Sequence, residues 1–369
     1  GHLSSNLGVV ELSVALHYIF DIAEDRDRLV FDVSHQAYVH KLLTGRRDRF
    51  PTLRQTDGLC GFTSQYESGY DLFHVSHAGT AVGSALGYRL GRQHAGKEPH
   101  RTIALVGDAS IGAGMAFEAL QHAGALADQD LLVILNDNQM SIAKSVGALV
   151  RYFDKMRASE RWVEMKTEMH HALEAIPVVG TPLAKWVPRV KEALQHYMNP
   201  GLIFEELGFR YFGPVDGHDV QRMISTLRDL KDVKGPAFLH VITQKGRGFD
   251  EAEADPSGYH GVSARPKVVE TCLIEAAGKQ APPAERQDCC KHFGPLMVKF
   301  AEEHDNLVAI TAAMPSGTGL TVFAEKCPDR YYDVGICEQH AVALAGGLAR
   351  GGALPVAAIY STFLQRAYD

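Results

Sequence analysis

Cysteine is scarce and unpatterned in this sequence, which excludes two classes of cross-linked protein. The 369 residues include six cysteines, at irregular spacings and with no C-x-x-C pair: Cys60, Cys272, Cys289, Cys290, Cys327 and Cys337. Neither a zinc module nor a secreted disulfide framework fits such spacings. A chain of this length buries enough apolar surface to fold without such cross-links.

Long apolar runs and basic clusters are also absent. Apolar stretches such as 131–135 are far shorter than the roughly 20 residues that span a bilayer. Lys and Arg total 37 against 44 acidic residues, a net charge of -7, and no sustained basic run occurs. Membrane and nucleic-acid partners are therefore disfavoured. We expect a cytoplasmic globular protein of two or three domains, at about 150 residues per domain.

The two ends of the sequence point to a longer protein. The chain begins at Gly1 rather than at methionine, and it stops at Asp369 within a helical pattern that has no capping or breaking residue. We interpret it as a piece that lacks residues at both ends.

Short apolar runs alternate with longer helical patterns along most of the chain. Eight runs predict strands, at 29–33, 102–106, 131–135, 210–213, 237–243, 307–311, 331–334 and 354–359. Six amphipathic stretches predict helices, at 9–22, 80–93, 114–126, 219–230, 294–303 and 338–349. Near-continuous apolar strands separated by helices indicate parallel sheets covered on both faces, so we predict an α/β fold.

Two segments interrupt this alternation. Residues 145–200 carry mixed charge and some helical periodicity, and we interpret them as a helical excursion over the core. Residues from 246 to about 290 show little periodicity and predict an interdomain linker. A second α/β pattern begins near His292 and has only three predicted strands, so we expect that domain to be incomplete.

Polar residues follow two of the predicted strands at matching positions. The strand at 102–106 leads into Gly107-Asp108 and a turn of small residues, and the strand at 131–135 leads into Asn136-Asp137-Asn138. Neighbouring parallel strands end at the same sheet edge, where backbone N–H groups favour a diphosphate. An isolated Asp108 is more often a helix cap, but the pair of Asp108 and Asn138 favours octahedral Mg²⁺.

These residues resemble the metal and diphosphate motif of thiamine diphosphate enzymes. Further segments, in the same order along the chain, are similar to the 1-deoxy-D-xylulose-5-phosphate synthases, a transketolase-like family: residues 1–8, 35–38, 43–48, 115–120, 213–219, 245–248, 338–342 and 360–366. The resemblance implies a diphosphate- and Mg-binding domain over 1–249, a linker over 250–291 and a truncated pyrimidine-binding domain over 292–369.

The resemblance also implies the roles of individual residues. It implies that Glu338 hydrogen-bonds N1′ of the cofactor's aminopyrimidine and is catalytic, together with His2 and His260, which face the substrates. It implies that the metal is held by Asp108, Asn138 and Met140. The implied cofactor contacts are His35, His77, Ala78, Gly79, Asp108, Ala109, Ser110, Asn138, Phe249, Glu338, Phe363 and Arg366.

Several of these positions have a simpler interpretation. A glutamate at a helix start, such as Glu338, is most often a surface residue that complements the helix dipole, and most of the 18 histidines must be structural or solvated. His340 fits a supporting role for the glutamate turn. Lys245 and Arg247 are as compatible with solvated surface positions as with phosphate neutralisation.

The sequence departs from the family pattern around the implied cofactor. Ala109 stands where the family has the second glycine of Gly-Asp-Gly, and a left-handed backbone there would cost about 1–2 kcal/mol. Ser34 and Ser76 stand where glycine is usual, Phe249 replaces a tyrosine, and Gly112 replaces a small hydroxyl residue.

The activity implied by the resemblance is a decarboxylating condensation. Pyruvate and D-glyceraldehyde 3-phosphate would give 1-deoxy-D-xylulose 5-phosphate and CO₂, with thiamine diphosphate and Mg²⁺ as cofactors and a homodimer as the assembly. Two alternatives remain, a transketolase-type ketol transfer and a catalytically impaired, cofactor-binding homologue. We expect the 369-residue piece alone to turn over poorly or not at all.

Overall fold

The computed structural model describes residues 1–98, 100–138, 146–158, 201–262 and 289–368. Eight strands occur in this part of the chain: β1 (Arg28–Phe31), β2 (Thr102–Gly107), β3 (Leu131–Asp137), β4 (Arg210–Asp216), β5 (Ala237–Ile242), β6 (Leu307–Thr311), β7 (Tyr331–Asp333) and β8 (Leu354–Ala358). They form a five-stranded sheet in the order β1-β2-β3-β5-β4 and a three-stranded sheet in the order β7-β6-β8. Every pairing is parallel, so the predicted α/β class is confirmed.

Fourteen α-helices accompany the strands among the described residues. They are α1 (Leu3–Leu7), α2 (Val10–Ile19), α3 (Tyr38–Lys41), α4 (Ala81–His94), α5 (Asp108–Ile111), α6 (Gly114–Gly124), α7 (Ala148–Ala158), α8 (Leu202–Glu206), α9 (Val220–Lys231), α10 (Asp250–Ala254), α11 (Cys289–Glu303), α12 (Thr321–Lys326), α13 (Glu338–Arg350) and α14 (Ser361–Leu364). None of the helices in the described ranges is long and apolar enough to cross a membrane.

The central strands of the larger sheet are apolar at nearly every position because both of their faces are covered. Ile103 and Leu105 of β2 point into one apolar core, whereas Ala104 and Val106 point into a second core on the opposite face. Side chains alternate between the two faces of a strand, so two cores require an uninterrupted apolar run. The stacked rings of Phe204 and Phe238, with centroids 3.8 Å apart, add to the second core.

The smaller sheet repeats this arrangement. Leu307 and Ala309 of β6 pack in one core with Phe323 of α12, and Val308 and Ile310 pack on the other face near Ala341 of α13. Strand β8 is only partly buried.

Most element boundaries differ from the sequence predictions by one to five residues, and two of these differences are informative. Strand β4 was expected to end at Gly213, but it continues to Asp216 after a register shift between Phe212 and Val215. Helix α11 begins at Cys289 rather than Gly294. Gly294 lies inside it, against the carbonyl of Gly319, where a side chain would clash. The predicted helical excursion is described only for 146–158, where α7 lies, and most of the predicted linker lies outside the described residues.

The sheet register brings the site residues to one edge. Gly107, the last residue of β2, pairs with Asn136 of β3, so Asp108 and Asn138 follow neighbouring strand ends. The ends of β1 and β5 lie at the same edge, next to β2 and β3 respectively. This carboxyl edge is the usual place of ligand sites in open parallel sheets.

Candidate active site

A cavity of about 250 Å³ lies where the carboxyl edges of the two sheets meet. The larger sheet contributes Asp108 and Asn138, and the smaller sheet contributes Glu338 and the segment Ala312, Ala313 and Met314 that follows β6. Eleven of the residues implied by the family resemblance line it: His2, His35, His77, Ala78, Asp108, Ala109, Ser110, Asn138, His260, Glu338 and Phe363. The fold therefore gathers segments that are far apart in the sequence around one space.

One end of the cavity concentrates buried charge. Asp108 begins α5 and is 5% exposed, and burial together with the nearby charge of Asp137 raises its pKa to about 7. Lys245 also lines the cavity and is 5% exposed, and burial lowers its pKa to about 8 although Asp108 acts in the opposite direction. The buried position of Lys245 decides against the surface interpretation, whereas Arg247 is exposed.

This charged end fits a divalent cation. Asp108 and Asp137 repel each other in a buried environment, and a cation would relieve that repulsion. The described residues contain no group of three or more His, Cys, Asp or Glu side chains able to hold a metal. A metal here would take ligands of other kinds, such as the Asn138 amide and diphosphate oxygens, which are hard ligands of the type Mg²⁺ prefers.

A buried hydrogen-bonded chain fixes Asp137 beside this end. The Nε2 atom of His240 lies 2.9 Å from Oδ2 of Asp137, and Nδ1 of His240 lies 3.1 Å from the Tyr211 hydroxyl. Asp137 and His240 are completely buried. These hydrogen bonds fix the Asp137 carboxylate at the end of β3, next to Asn138.

Three histidines gather at a second part of the cavity. The ring centroid of His2 lies 5.3 Å from that of His35 and 5.2 Å from that of His260. The ring centroids of His35 and His260 are 5.6 Å apart. Burial lowers the pKa of His2 and of His260 to about 4, with the neighbouring cations adding to the effect, and it lowers the pKa of His35 well below its ordinary value. All three rings are therefore neutral at pH 7, so each has one N–H donor and one nitrogen that can accept a hydrogen bond.

Helix α1 holds these histidines in place. The Asn6 amide donates to the carbonyls of His2 and His35, at 2.6 and 2.7 Å. The Ser5 hydroxyl lies 3.2 Å from Nδ1 of His260.

Two side chains from the two sheets present unsatisfied polar atoms to the cavity. Glu338 begins α13 and is 3% exposed, and its Oε2 atom has no hydrogen-bond partner in the described part of the chain. Both ring nitrogens of His77 are likewise buried without a partner there. Buried polar groups cost about 1–3 kcal/mol when unsatisfied, so these atoms fit a polar ligand that supplies the missing partners.

Four of the residues implied by the family resemblance are not among those that line the cavity. Gly79 and Arg366 lie next to it, and Arg366 donates to the carbonyl of Ala78. Phe249 packs edge-on against Tyr259, with ring centroids 5.6 Å apart. Met140 lies outside the described residues.

Ala109 and Ser34, two of the positions that depart from the family pattern, differ in backbone conformation. Ala109 lies within α5 and has no positive φ, so alanine is tolerated there without strain. Ser34 has φ +66°, and its hydroxyl donates to the Val75 carbonyl at 2.7 Å and accepts from the Thr63 N–H at 3.0 Å. Ser34 therefore carries a left-handed backbone conformation but gains two buried hydrogen bonds that glycine lacks.

Some cavity residues were not found from the sequence. Phe62 lies in an irregular segment with no strand or helix pattern, and no local signal marks it. Ala312, Ala313 and Met314 follow the predicted strand at 307–311, so the strand-end argument applied to Asp108 would have found them.

The two parallel sheets with their flanking helices have the fold of solved transketolases. The transketolase from Campylobacter jejuni has a TM-score of 0.51 at 17% identity, covering 100% of this chain and 63% of its own. A transketolase variant from Pichia stipitis has a TM-score of 0.51 at 15% identity, covering 100% of this chain and 62% of its own. At such identities the likeness shows the fold.

Sequence comparisons identify the family. The family model described as 1-deoxy-D-xylulose-5-phosphate synthase matches residues 1–243, and the model of the transketolase pyrimidine binding domain matches residues 286–369. The chain belongs to the 1-deoxy-D-xylulose-5-phosphate synthase family. The synthase of Syntrophomonas wolfei is 49% identical over the whole chain, which covers 56% of that protein. For the synthase of Hahella chejuensis the identity is 48% and the coverage of that protein is 55%. The chain thus spans slightly more than half the length of these relatives.

Proposed function

We propose that the complete protein joins pyruvate and D-glyceraldehyde 3-phosphate into 1-deoxy-D-xylulose 5-phosphate with release of CO₂, and so supplies isoprenoid, thiamine and pyridoxal precursors. The observation that carries this proposal is the cavity in which Glu338 of the smaller sheet lies with Asp108 and Asn138 of the larger sheet. Family membership supports the choice of this reaction over the ketol transfer of a transketolase.

Thiamine diphosphate and Mg²⁺ are the cofactors of this proposal. Asp108 and Asn138 would hold the metal, and Lys245 and the start of α5 would neutralise the diphosphate. Glu338 would hydrogen-bond the aminopyrimidine through the carboxylate oxygen that has no partner in the described part of the chain. When bound, the cofactor supplies the electron sink for decarboxylation.

The neutral histidines serve the substrates in this account. His2 and His260 line the cavity and keep a pKa of about 4, so each ring has one nitrogen free of a proton at pH 7. Such a ring can accept a proton at one nitrogen and donate from the other. We assign the two rings to proton transfer at the carbonyl oxygens of pyruvate and of the aldehyde.

The assay that tests the proposal is CO₂ release from pyruvate by the complete protein, with and without D-glyceraldehyde 3-phosphate. We expect release that needs both thiamine diphosphate and Mg²⁺, and formation of 1-deoxy-D-xylulose 5-phosphate when the aldehyde is present. Ketol transfer between sugar phosphates without CO₂ would favour the transketolase alternative. Cofactor binding with neither activity would favour the impaired homologue.

The isolated chain gives a second test. We propose that the 369 residues alone turn over poorly, since they span 56% of a relative such as that of Syntrophomonas wolfei. Steady turnover by the isolated chain at the rate of the complete protein would contradict this. We further propose that the protein is a homodimer and lies in the cytoplasm. Sedimentation of the complete protein would test the dimer, and cell fractionation would test the location.

A further inference from the structure

Asp32 is a buried carboxylate just outside the cavity. It follows β1, is 1% exposed and does not line the cavity. Its Oδ2 atom accepts the Gly79 N–H at 2.9 Å, and its Oδ1 atom accepts the N–H groups of Thr80 at 2.9 Å and Ala81 at 3.0 Å. The side chain of Ser110 also hydrogen-bonds to it.

The partners of Asp32 belong to two separate cavity segments. Gly79 to Ala81 form the turn that enters α4, directly after His77 and Ala78. Ser110 lies in α5, two residues after Asp108. Asp32 is therefore a single side chain that ties the His77 turn to the helix that begins with Asp108.

The charge of Asp32 suits this arrangement. Burial raises the pKa of its carboxyl above the ordinary value, and the hydrogen bonds from Gly79, Ala81 and Ser110 offset part of that rise. All of these partners are donors, so an ionised carboxylate satisfies them together. Negative charge is also stabilised at the N-terminus of a helix such as α4.

We propose that Asp32 is a positioning residue, which presets the His77–Gly79 turn against α5 so that thiamine diphosphate meets an already formed binding surface. This inference rests on the proposed function, because it concerns the same cavity. An amide in place of the carboxylate would present an N–H group to one of the backbone N–H groups of residues 79–81, which would loosen the turn.

The test compares Asp32→Asn with Asp27→Asn in the complete protein. Asp27 lies immediately before β1, at the opposite edge of the sheet, and its carboxylate likewise accepts backbone N–H groups, from Asp21 at 3.1 Å and Arg101 at 3.0 Å. The readout is calorimetric titration with thiamine diphosphate in the presence of Mg²⁺. We expect Asp32→Asn to weaken binding by roughly tenfold, and Asp27→Asn to bind as the unchanged protein does.

Kinetics separate positioning from general damage. For Asp32→Asn we expect the apparent cofactor constant to rise by roughly tenfold, while kcat at saturating cofactor stays within about twofold. An unchanged cofactor affinity in folded Asp32→Asn, or equal weakening in Asp27→Asn, would overturn the inference. Failure of the unchanged protein to bind the cofactor would instead count against the proposed function.

A measurement without substitution covers the case in which Asp32→Asn does not fold. Hydrogen exchange of the cofactor-free protein reports the amides of Gly79, Thr80 and Ala81 directly. We expect exchange on the order of 100-fold slower than in an unstructured peptide, since the turn is preset. Exchange at the unstructured rate until cofactor is added would overturn the proposal.

Discussion

The ring of Phe363 stands edge-on to the ring of His77, with centroids 5.0 Å apart and ring planes at 83°. Phe363 belongs to α14, after the smaller sheet, whereas His77 precedes α4 of the larger sheet. Arg366 donates to the carbonyl of Ala78 beside them. These contacts join the two halves of the cavity at the turn that Asp32 holds.

Removing the Phe363 ring tests this junction. We expect Phe363→Ala to weaken cofactor binding by about 1 kcal/mol, roughly fivefold, because an aromatic pair contributes about that much beyond its buried area. Tyr368→Ala is the matched control, since Tyr368 is 93% exposed. Calorimetric titration with thiamine diphosphate measures both. Equal affinities in the two variants would show that the contact does not shape the site.

Substitution of Glu338 should lower the activity of the protein without lowering its stability. We expect Glu338→Gln to lower kcat by about 10²–10⁴, the typical effect of losing a positioned acid–base group. The same change should leave the free energy of unfolding equal or raise it, because an unsatisfied buried carboxylate is costly. Steady-state kinetics and urea unfolding measure the two effects, with the exposed neighbour Gln339→Ala as control. A large loss of stability without a loss of kcat would contradict the role assigned to Glu338.

Buried histidines predict that the protein is destabilised by mild acid. Burial lowers the pKa of His2, His17 and His260 from 6.5 to about 4. Between these values the unfolded chain binds protons that the folded chain does not. The three histidines therefore make the free energy of unfolding rise with pH between about 4 and 6.5. Asp108, whose pKa is raised to about 7, contributes in the opposite direction over that range, so the histidine contribution is isolated by substitution.

His17 allows this dependence to be tested outside the cavity. Its Nε2 atom lies 2.9 Å from Nδ1 of His40. Urea unfolding of His17→Gln between pH 4 and 6.5 should show a shallower rise of stability than the unchanged protein. His122→Gln, at an exposed position, should keep the original slope. A slope unchanged by His17→Gln would exclude this histidine as a source of the pH dependence.

Strand ends alone predicted that Asp108 and Asn138 lie together, whereas two residues whose burial depends on tertiary packing, Lys245 and Asp32, were left open or missed. Asp108 and Asn138 follow buried strands, and parallel pairing was enough to bring them together. The burial of Lys245 depends on neighbours distant in sequence, so the sequence left its role open. Asp32 was missed for the same reason, because its four donors come from residues 79–81 and 110.

Substitutions at Ser34 compare the cost of its left-handed backbone conformation with the gain from its two hydroxyl hydrogen bonds. Ser34→Ala keeps the strained φ and loses both hydroxyl contacts, so we expect about 2–3 kcal/mol of destabilisation. Ser34→Gly loses the same contacts but relieves the strain, and it should be destabilised by about 1 kcal/mol less than Ser34→Ala. Urea unfolding of the three proteins gives the order. A glycine variant more stable than the serine protein would show that the two hydrogen bonds do not outweigh the strain.

The central claim is that Asp108, Asn138 and Glu338 enclose a metal-dependent thiamine diphosphate site. Titration of thiamine diphosphate into the folded protein, with Mg²⁺ and then with a chelator, tests it most directly. We expect saturable binding that is lost on chelation and weakened by at least roughly tenfold in Asp108→Asn, which loses a metal ligand. Absence of binding in a folded sample, or binding unchanged by chelation and by Asp108→Asn, would contradict it.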